Sequence, residues 1–242
     1  MEKTVTEAIT YRRSVRIYKD DVALDDEKVK QCLVNASLAP TSSNMQLWEF
    51  YHVTDKTKLK ALAKSCFDQP AAKTAQQLVV VVTRKDLWRK RSNANLEFLK
   101  KGYGNKSKED YSTREKFTLK YYSQLIPTLY MEFLGIFGAL KYVFFQTVGL
   151  FRPIYRQVRN SDMRIVVHKS AALAAENFMV SMAAIGYDTC PMEGSDTLRV
   201  KKILNLPRGA EINMIIGCGL RDDNGVYGPR FRIPFEEVYH KV

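Results

Sequence analysis

The chain is poor in cysteine, glycine, proline and histidine, and each shortage closes off a class of protein. Its four cysteines, Cys32, Cys66, Cys190 and Cys218, lie far apart with no C-x-x-C pair, which argues against a zinc site, a dithiol redox motif or a disulfide scaffold. They read as buried thiols of a reducing compartment. Twelve glycines and eight prolines in 242 residues exclude collagen-like and low-complexity chains. Of the three histidines, His52 and His240 have no partner at metal-ligand spacing, and His168 is expected at the surface or as a capping residue. No metal site is expected. Neither a Gly-rich dinucleotide fingerprint nor a Walker loop is present. Met1-Glu2-Lys3 runs into a charged amphipathic stretch rather than a basic n-region and apolar run, so the expectation is a cytoplasmic protein. With no internal repeat and no linker, residues 1–242 are expected to form a single domain.

Acidic residues are also in short supply, 26 against 38 Lys and Arg, for a net charge of +12. Residues 84–120 hold twelve Lys or Arg and five Asp or Glu, so more than half of the excess sits in one segment. Such a block most often forms a solvated face, and less often contacts nucleic acid, a membrane or an anionic ligand. Just beyond it, residues 129–151 are apolar nearly all round, with Arg152, Arg156 and Arg159 following. The run is long enough to span a bilayer. Glu132, Lys141 and Gln146 interrupt it, however, and one charge near mid-membrane costs about 2.5–3.5 kcal/mol. A buried helix of a cap or a dimer interface is the favoured reading, membrane-surface contact through 129–159 the next, and a true span the last.

Elsewhere the patterning is clear. Thr4 and Glu7 have capping-box spacing, which predicts a helix over 4–11. Asp25 or Asp26 starts a second helix carrying Val29, Cys32, Leu33 and Ala36, which Pro40 stops. Gln77–Thr83 is a continuous β-branched run suited to a strand buried on both faces at the centre of a sheet. Val166–Ile185 is Ala-rich and free of Pro and Gly, a buried central helix, and Ile212–Cys218 reads as a second core strand. Helices and isolated strands alternate irregularly, which favours an α+β fold over a doubly wound sheet.

Four segments could carry chemistry. In Tyr11-Arg-Arg-Ser-Val-Arg-Ile17, an extended backbone would place Arg12, Ser14 and Arg16 on one side and Arg13 and Val15 on the other. Guanidinium forks beside a hydroxyl match a phosphate dianion, and a solvated strand is the plainer alternative. Pro229-Arg-Phe-Arg-Ile-Pro234 repeats the offer with Arg230 and Arg232, or else is an edge strand protected by charge. Ala39-Pro-Thr-Ser-Ser-Asn-Met-Gln-Leu-Trp48 supplies hydroxyls and amides to a flat, heteroatom-rich ligand, unless it is a mere turn. Cys190-Pro-Met-Glu-Gly194 would let the backbone at Gly194 approach a ligand closely.

Taken together and in this order, the four segments resemble the FMN-dependent nitroreductase family over residues 8–53, 66–83 and 165–240. The resemblance implies an α+β fold with a mainly antiparallel central sheet flanked by helices. It also implies an interlocked homodimer binding two FMN at the interface, with NADPH or NADH as electron donor. Carried over by position, Arg12, Ser14, Arg230 and Arg232 look like the phosphate and ribityl site, Arg16 like a cation near the pyrimidine edge, and Arg13 like a further cofactor-binding residue. Thr41, Ser42, Ser43, Asn44 and Gln46 look like a loop reaching the flavin from the partner subunit, and Gln69 like a ring hydrogen-bond partner. Pro191, Met192, Glu193 and Gly194 would pack on a flavin face and turn a backbone N–H toward N5.

Two positions depart from the family pattern: Leu47 stands where Pro is usual, and Ala72 where some members carry Lys. The unmatched middle, about 88–165, corresponds to the variable cap that selects substrates. The implied activity is ping-pong transfer of electrons from NAD(P)H to nitroaromatic, quinone or similar conjugated small molecules, with no side chain as catalyst and no nucleic acid as partner. The alternatives are reductive dehalogenation or flavin-consuming chemistry on the same fold, or a basic membrane- or nucleic-acid-binding protein.

Overall fold

The computed structural model describes residues 2–104, 107, 109–133 and 136–242. Helix α1 (Val5–Tyr11) opens on the anticipated capping box, in which Thr4 and Glu7 each take a bond from the other's backbone N–H. Helix α2 (Asp26–Ser37) starts on Asp25, whose carboxylate accepts the N–H groups of Glu27 and Lys28. Strand β1 (Trp48–Val53), helix α3 (Lys56–Ser65), the single turn α4 (Pro70–Lys73) and strand β2 (Gln77–Thr83) follow. The middle segment contains α5 (Trp88–Tyr103), α6 (Thr113–Lys120), a wide π-type turn over Tyr121–Leu125, α7 (Ile126–Tyr130) and α8 (Ile136–Val148). The long helix α9 (Asn160–Ala184), strand β3 (Asp188–Met192), helix α10 (Thr197–Ile203) and strand β4 (Glu211–Gly219) complete the set.

The four strands form one antiparallel sheet in the order β1-β2-β4-β3. Strand β2 is therefore central, as its unbroken apolar run requires. Leu78, Val80 and Val82 point to one side, against Val15, Tyr18, Leu62 and Val200. Val79 and Val81 point to the other, against Val29 of α2 and Ala171, Ala174, Ala175 and Phe178 of α9. The period-2 alternation is thus intact, but both faces are covered by helices and both are apolar. Close helix packing on β4 and the neighbouring chain depends on glycine: a Cβ on Gly217 would stand 2.5 Å from the Ala71 carbonyl oxygen, and one on Gly219 2.6 Å from the Tyr18 ring.

Two expectations need correction, and one strand lies outside those expected. The apolar run 129–151 is not one buried helix: α7 ends at Tyr130 and α8 begins at Ile136, and α8 leaves one apolar side exposed. Among the described residues, no helix is long and apolar enough to cross a membrane. His168 is neither a surface nor a capping residue. It lies within α9 with its ring turned to the sheet, where Nε2 meets the Glu211 carboxylate at 3.2 Å and Nδ1 meets the Asn213 amide nitrogen at 3.2 Å. The stretch after Gly186 is a strand, β3, and it accommodates Pro191 because it is an edge strand.

All four thiols are buried, as expected. Burial pushes Cys66 up to about 11, and burial together with Glu2 does the same to Cys32. Buried neutral thiols are poor nucleophiles. A disulfide reagent at pH 8 should accordingly label almost none of the four in the folded protein and all four in denaturant; rapid labelling of the native chain would contradict this packing.

Glu211 carries a second testable consequence. Burial alone would raise its carboxyl, but the hydrogen bonds and charges of Arg164 and His168 outweigh that and hold it below the ordinary glutamate value. A carboxyl depressed by folding stabilises above its unfolded pKa and loses that contribution as pH falls through its folded one. Glu211→Gln should therefore shallow the acid limb of stability below about pH 4.5, read by denaturant melts at several pH values. An unchanged acid limb would show that the cluster contributes nothing to pH dependence.

Candidate active site

The chain beyond α1 is drawn against the sheet edge. Ser14 forms a parallel bridge to Thr189 of β3, the Val15 N–H donates to the Thr189 carbonyl at 3.2 Å, and Tyr18 pairs with Arg221. Val15 is fully buried, so its neighbours on either side turn outward. The Tyr18 hydroxyl donates to the Gly217 carbonyl at 2.9 Å and locks the stretch to β4. From the other direction, the Arg16 N–H donates to the Gly225 carbonyl, and the Arg13 guanidinium donates to the Gly228 carbonyl at 2.8 Å. Arg230 closes the arrangement with hydrogen bonds to the carbonyl oxygens of Thr10 and Arg12.

The result is a cavity of about 250 Å³ lined by Arg12, Arg13, Ser14, Arg16, Arg230 and Arg232 together with Val226, Tyr227, Pro229 and Phe231. All six of the cofactor-binding residues expected from the two ends of the chain line it. Arg13 joins the others despite the alternation, its guanidinium reaching the Gly228 carbonyl beside Pro229. Among the described residues no carboxylate lines the cavity. The only acid paired with any of its arginines among the described residues is Glu176, 3.8 Å from Arg12. Uncompensated charge is felt inside: the surrounding protein and then the like charges of Arg13, Arg232 and Arg12 pull Arg230 below its ordinary value. Burial raises the Cys190 thiol, and Arg16 and Arg12 act against that rise, which places both guanidinium charges beside β3.

The segment after β3 meets a third part of the chain. The Gln69 amide donates to the Gly194 carbonyl at 3.0 Å, so the loop before α4 clamps the turn that follows Met192. Phe67 and Asp68, just before Gln69, both have positive φ, and this sharp turn carries Gln69 across. Glu193 and Gly194 are exposed, whereas Met192 is 3% exposed and packs in the core, so of Met192 only the backbone can face a ligand. Pro191 is half-buried on β3. The neighbouring Ser195 hydroxyl is buried without a hydrogen-bond partner. Ser195, Tyr227 and Phe231 were absent from the sequence-derived set; directly following Pro-Met-Glu-Gly, or neighbouring Arg230 and Arg232, was the available signal for them.

The Thr41–Gln46 loop does not line this cavity. Ser43, Asn44 and Gln46 have positive φ, an unusual succession that turns the loop toward the middle segment. There the Ser43 hydroxyl meets the Tyr121 hydroxyl at 2.6 Å, the Tyr122 hydroxyl donates to the Ser43 carbonyl, and the Asn44 amide donates to Asn95 of α5. The Ser42 N–H donates to the Ser170 hydroxyl of α9, and the Thr41 hydroxyl accepts the Gln46 N–H. Leu47, in place of the usual proline, is 3% exposed and packs with Met45, Ile126, Tyr130, Met163 and Val167. Leu47 and Met45 together are the apolar anchor by which α7 docks on this loop.

A family model described as the nitroreductase family matches residues 9–220. The chain belongs to the nitroreductase family. Protein DrgA of Synechocystis is 24% identical to it over 218 residues, covering 90% of this chain and 84% of the relative. Among solved structures, a protein of Exiguobacterium sibiricum crystallised in complex with FMN superposes with a TM-score of 0.68 at 20% identity, covering 99% of this chain and 98% of the other. The NADPH:FMN oxidoreductase of Vibrio harveyi, solved with NAD+, superposes at 0.61 and 17% identity, covering 98% of this nitroreductase and 76% of that chain. The antiparallel α+β fold expected from the four motifs is the fold of these structures. Among the described residues no group of three or more His, Cys, Asp or Glu is placed to hold a metal.

Proposed function

We propose that the protein is an FMN-dependent oxidoreductase that takes electrons from NADPH or NADH and passes them to nitroaromatic, quinone or similar conjugated small molecules. One observation carries the reading above the others: five guanidinium groups and a serine hydroxyl converge on a single cavity that, among the described residues, no carboxylate lines. That donor set fits the phosphate of a mononucleotide, since planar forks donate paired, charge-assisted hydrogen bonds to its oxygens. The buried, unpartnered Ser195 hydroxyl beside the Gln69-clamped turn fits a polar ligand edge as well. The FMN-bound neighbour and the NAD+-bound neighbour support the same pair of cofactors.

On this reading Arg12, Arg13, Ser14, Arg230 and Arg232 hold the phosphate and ribityl chain. Arg16 presents a cation beside β3, and Pro191, Glu193, Gly194 and the Met192 backbone form the wall for the ring. When bound, FMN supplies hydride acceptance at N5 and delivery of electrons to the acceptor. Gln69, held by the Gly194 carbonyl, fixes the backbone of that wall instead of reaching the ring freely. With no separate dinucleotide site in the sequence, donor and acceptor occupy the same open face in turn, which is ping-pong exchange.

The Thr41–Gln46 loop serves the cavity of a second copy, so the working unit is a homodimer. The exposure of Phe231, Ile233, Phe235 and Tyr239 near the C terminus supports such an assembly. The test is the visible absorption spectrum of the purified protein, repeated anaerobically after adding NADPH or NADH. A flavin spectrum that bleaches is the expected result. A bound flavin indifferent to both donors would overturn the proposed donor, and no flavin after reconstitution would overturn the whole reading.

A further inference from the structure

Helix α8 turns its one charged side chain toward the protein: the Lys141 ammonium donates to the carbonyl oxygens of Thr128, Leu129 and Met131 at 3.1, 3.0 and 2.9 Å, capping the end of α7. On this helix Gln146 accepts from the exposed Arg156 guanidinium at 2.7 Å. Its apolar side chains turn the other way, with Ile136, Leu140, Val143 and Phe144 between 54% and 64% exposed. Positions 136, 140, 143 and 144 form one stripe at helical spacing, and Leu150 and Phe151 extend it at 77% and 84% exposure. A contiguous apolar patch of this kind marks an interaction surface.

The charge around it identifies what it fits. Residues 84–159 hold sixteen Lys or Arg and six Asp or Glu, so most of the net +12 lies in this one segment. At α8 itself, Arg152 is exposed just past the stripe, the exposed Arg156 bonds Gln146 and the Gly149 carbonyl, and the exposed Arg159 lies 3.6 Å from the centre of the Tyr142 ring. A second copy meeting this face would bring a like-charged segment with it, whereas an anionic bilayer brings the opposite charge together with an apolar interior. At 13 residues α8 is about 20 Å long, too short for a hydrocarbon core of about 30 Å. We propose that α8 lies in the plane of an anionic lipid surface, its stripe of Ile136, Leu140, Val143 and Phe144 immersed at the acyl boundary and the surrounding basic residues over the headgroups. This would bring the enzyme to acceptors dissolved in a membrane, and it stands or falls independently of flavin binding.

Flotation of the purified protein with vesicles tests the proposal, using phosphatidylcholine alone and phosphatidylcholine mixed with phosphatidylglycerol. Binding to the mixed vesicles, weakened by salt, is expected, and Leu140→Glu with Phe144→Glu should lower the partition at least about tenfold. Because those side chains point outward, the variant should keep its fold, checked by circular dichroism. As a second measurement, the indole of Phe144→Trp should be quenched by brominated lipids. Absence of vesicle binding, equal binding to uncharged vesicles, indifference to the paired glutamates, or an unquenched indole would each overturn the proposal. So would a change in the mass of the lipid-free protein caused by the glutamates, which would assign the stripe to a second copy of the chain.

Discussion

Replacing Arg12 and Arg232 together with alanine should strip FMN from the protein while the fold persists. Both guanidinium groups line the cavity, from opposite ends of the chain. Neither is held by a strong internal partner: Arg12 stands 3.8 Å from Glu176, and among the described residues Arg232 donates only to the carbonyl of its neighbour Phe231. Hydrogen bonds to charged groups contribute about 1.5–3 kcal/mol, so each loss should raise the dissociation constant about 10- to 150-fold. Quenching of flavin fluorescence in a titration measures this directly. Arg199→Ala is the control, because Arg199 lies on α10, is exposed and pairs with Asp196. Wild-type affinity in the double variant would show that the cavity is not the phosphate site. Removing positive charge from a cluster that already repels itself, as Arg230 registers, should not cost stability, so a loss of binding can be read as a loss of contacts.

The parts of this site that could be read in the sequence are those whose chemistry is local. Arg12, Ser14 and Arg16 alternate within one extended stretch, and Arg230 and Arg232 repeat the alternation, so each half of the cradle is visible alone. Their convergence is not, because it depends on the Arg13 and Arg230 bonds to backbone carbonyls more than 200 residues away. The Gln69 clamp on Gly194 is illegible for the same reason. The core followed from its patterning, since Gln77–Thr83 has the run that a strand covered on both sides must have. Strand β3 did not: Asp188-Thr-Cys-Pro-Met192 contains a proline and no alternation, and it is a strand only because β4 offers it an edge. His168 misled because a polar residue on an apolar helix has no address until the helix is docked; Glu211 and Asn213 then provide one.

The apolar run 129–151 shows a different limit. Hydropathy measures how much apolar surface a segment has and says nothing about which way it faces. Lys141 looks like an interruption of a buried helix, yet it is a group that faces the protein and caps α7. Side chains that read as core, Leu140 and Phe144, are the ones that face outward.

Asp188→Asn should cost about 3–5 kcal/mol of stability and lower the melting temperature by roughly 6–20 °C. Asp188 is 3% exposed and accepts the Arg221 backbone N–H at 2.8 Å and its Nε at 2.9 Å. Arg221 in turn donates to the Tyr11 carbonyl at 3.3 Å and lies 4.2 Å from the centre of the Tyr11 ring. One buried ion pair therefore ties the start of β3, the end of α1 and the chain leading to Arg230, which are the three pieces that make the cradle. Neutralising the acid leaves a half-buried guanidinium unpaired, and that accounts for the size of the effect. Replacing both partners with apolar residues, Asp188→Leu with Arg221→Met, removes the unpaired charge and should recover most of the lost stability. FMN affinity should not recover with it, because the bond to the Tyr11 carbonyl that fixes the end of α1, just before Arg12, goes with Arg221. Measuring melting temperature and flavin affinity together on the two variants separates the roles. Recovery of stability alone identifies the pair as a positioning device for the cradle, whereas recovery of both reduces it to a support of the fold.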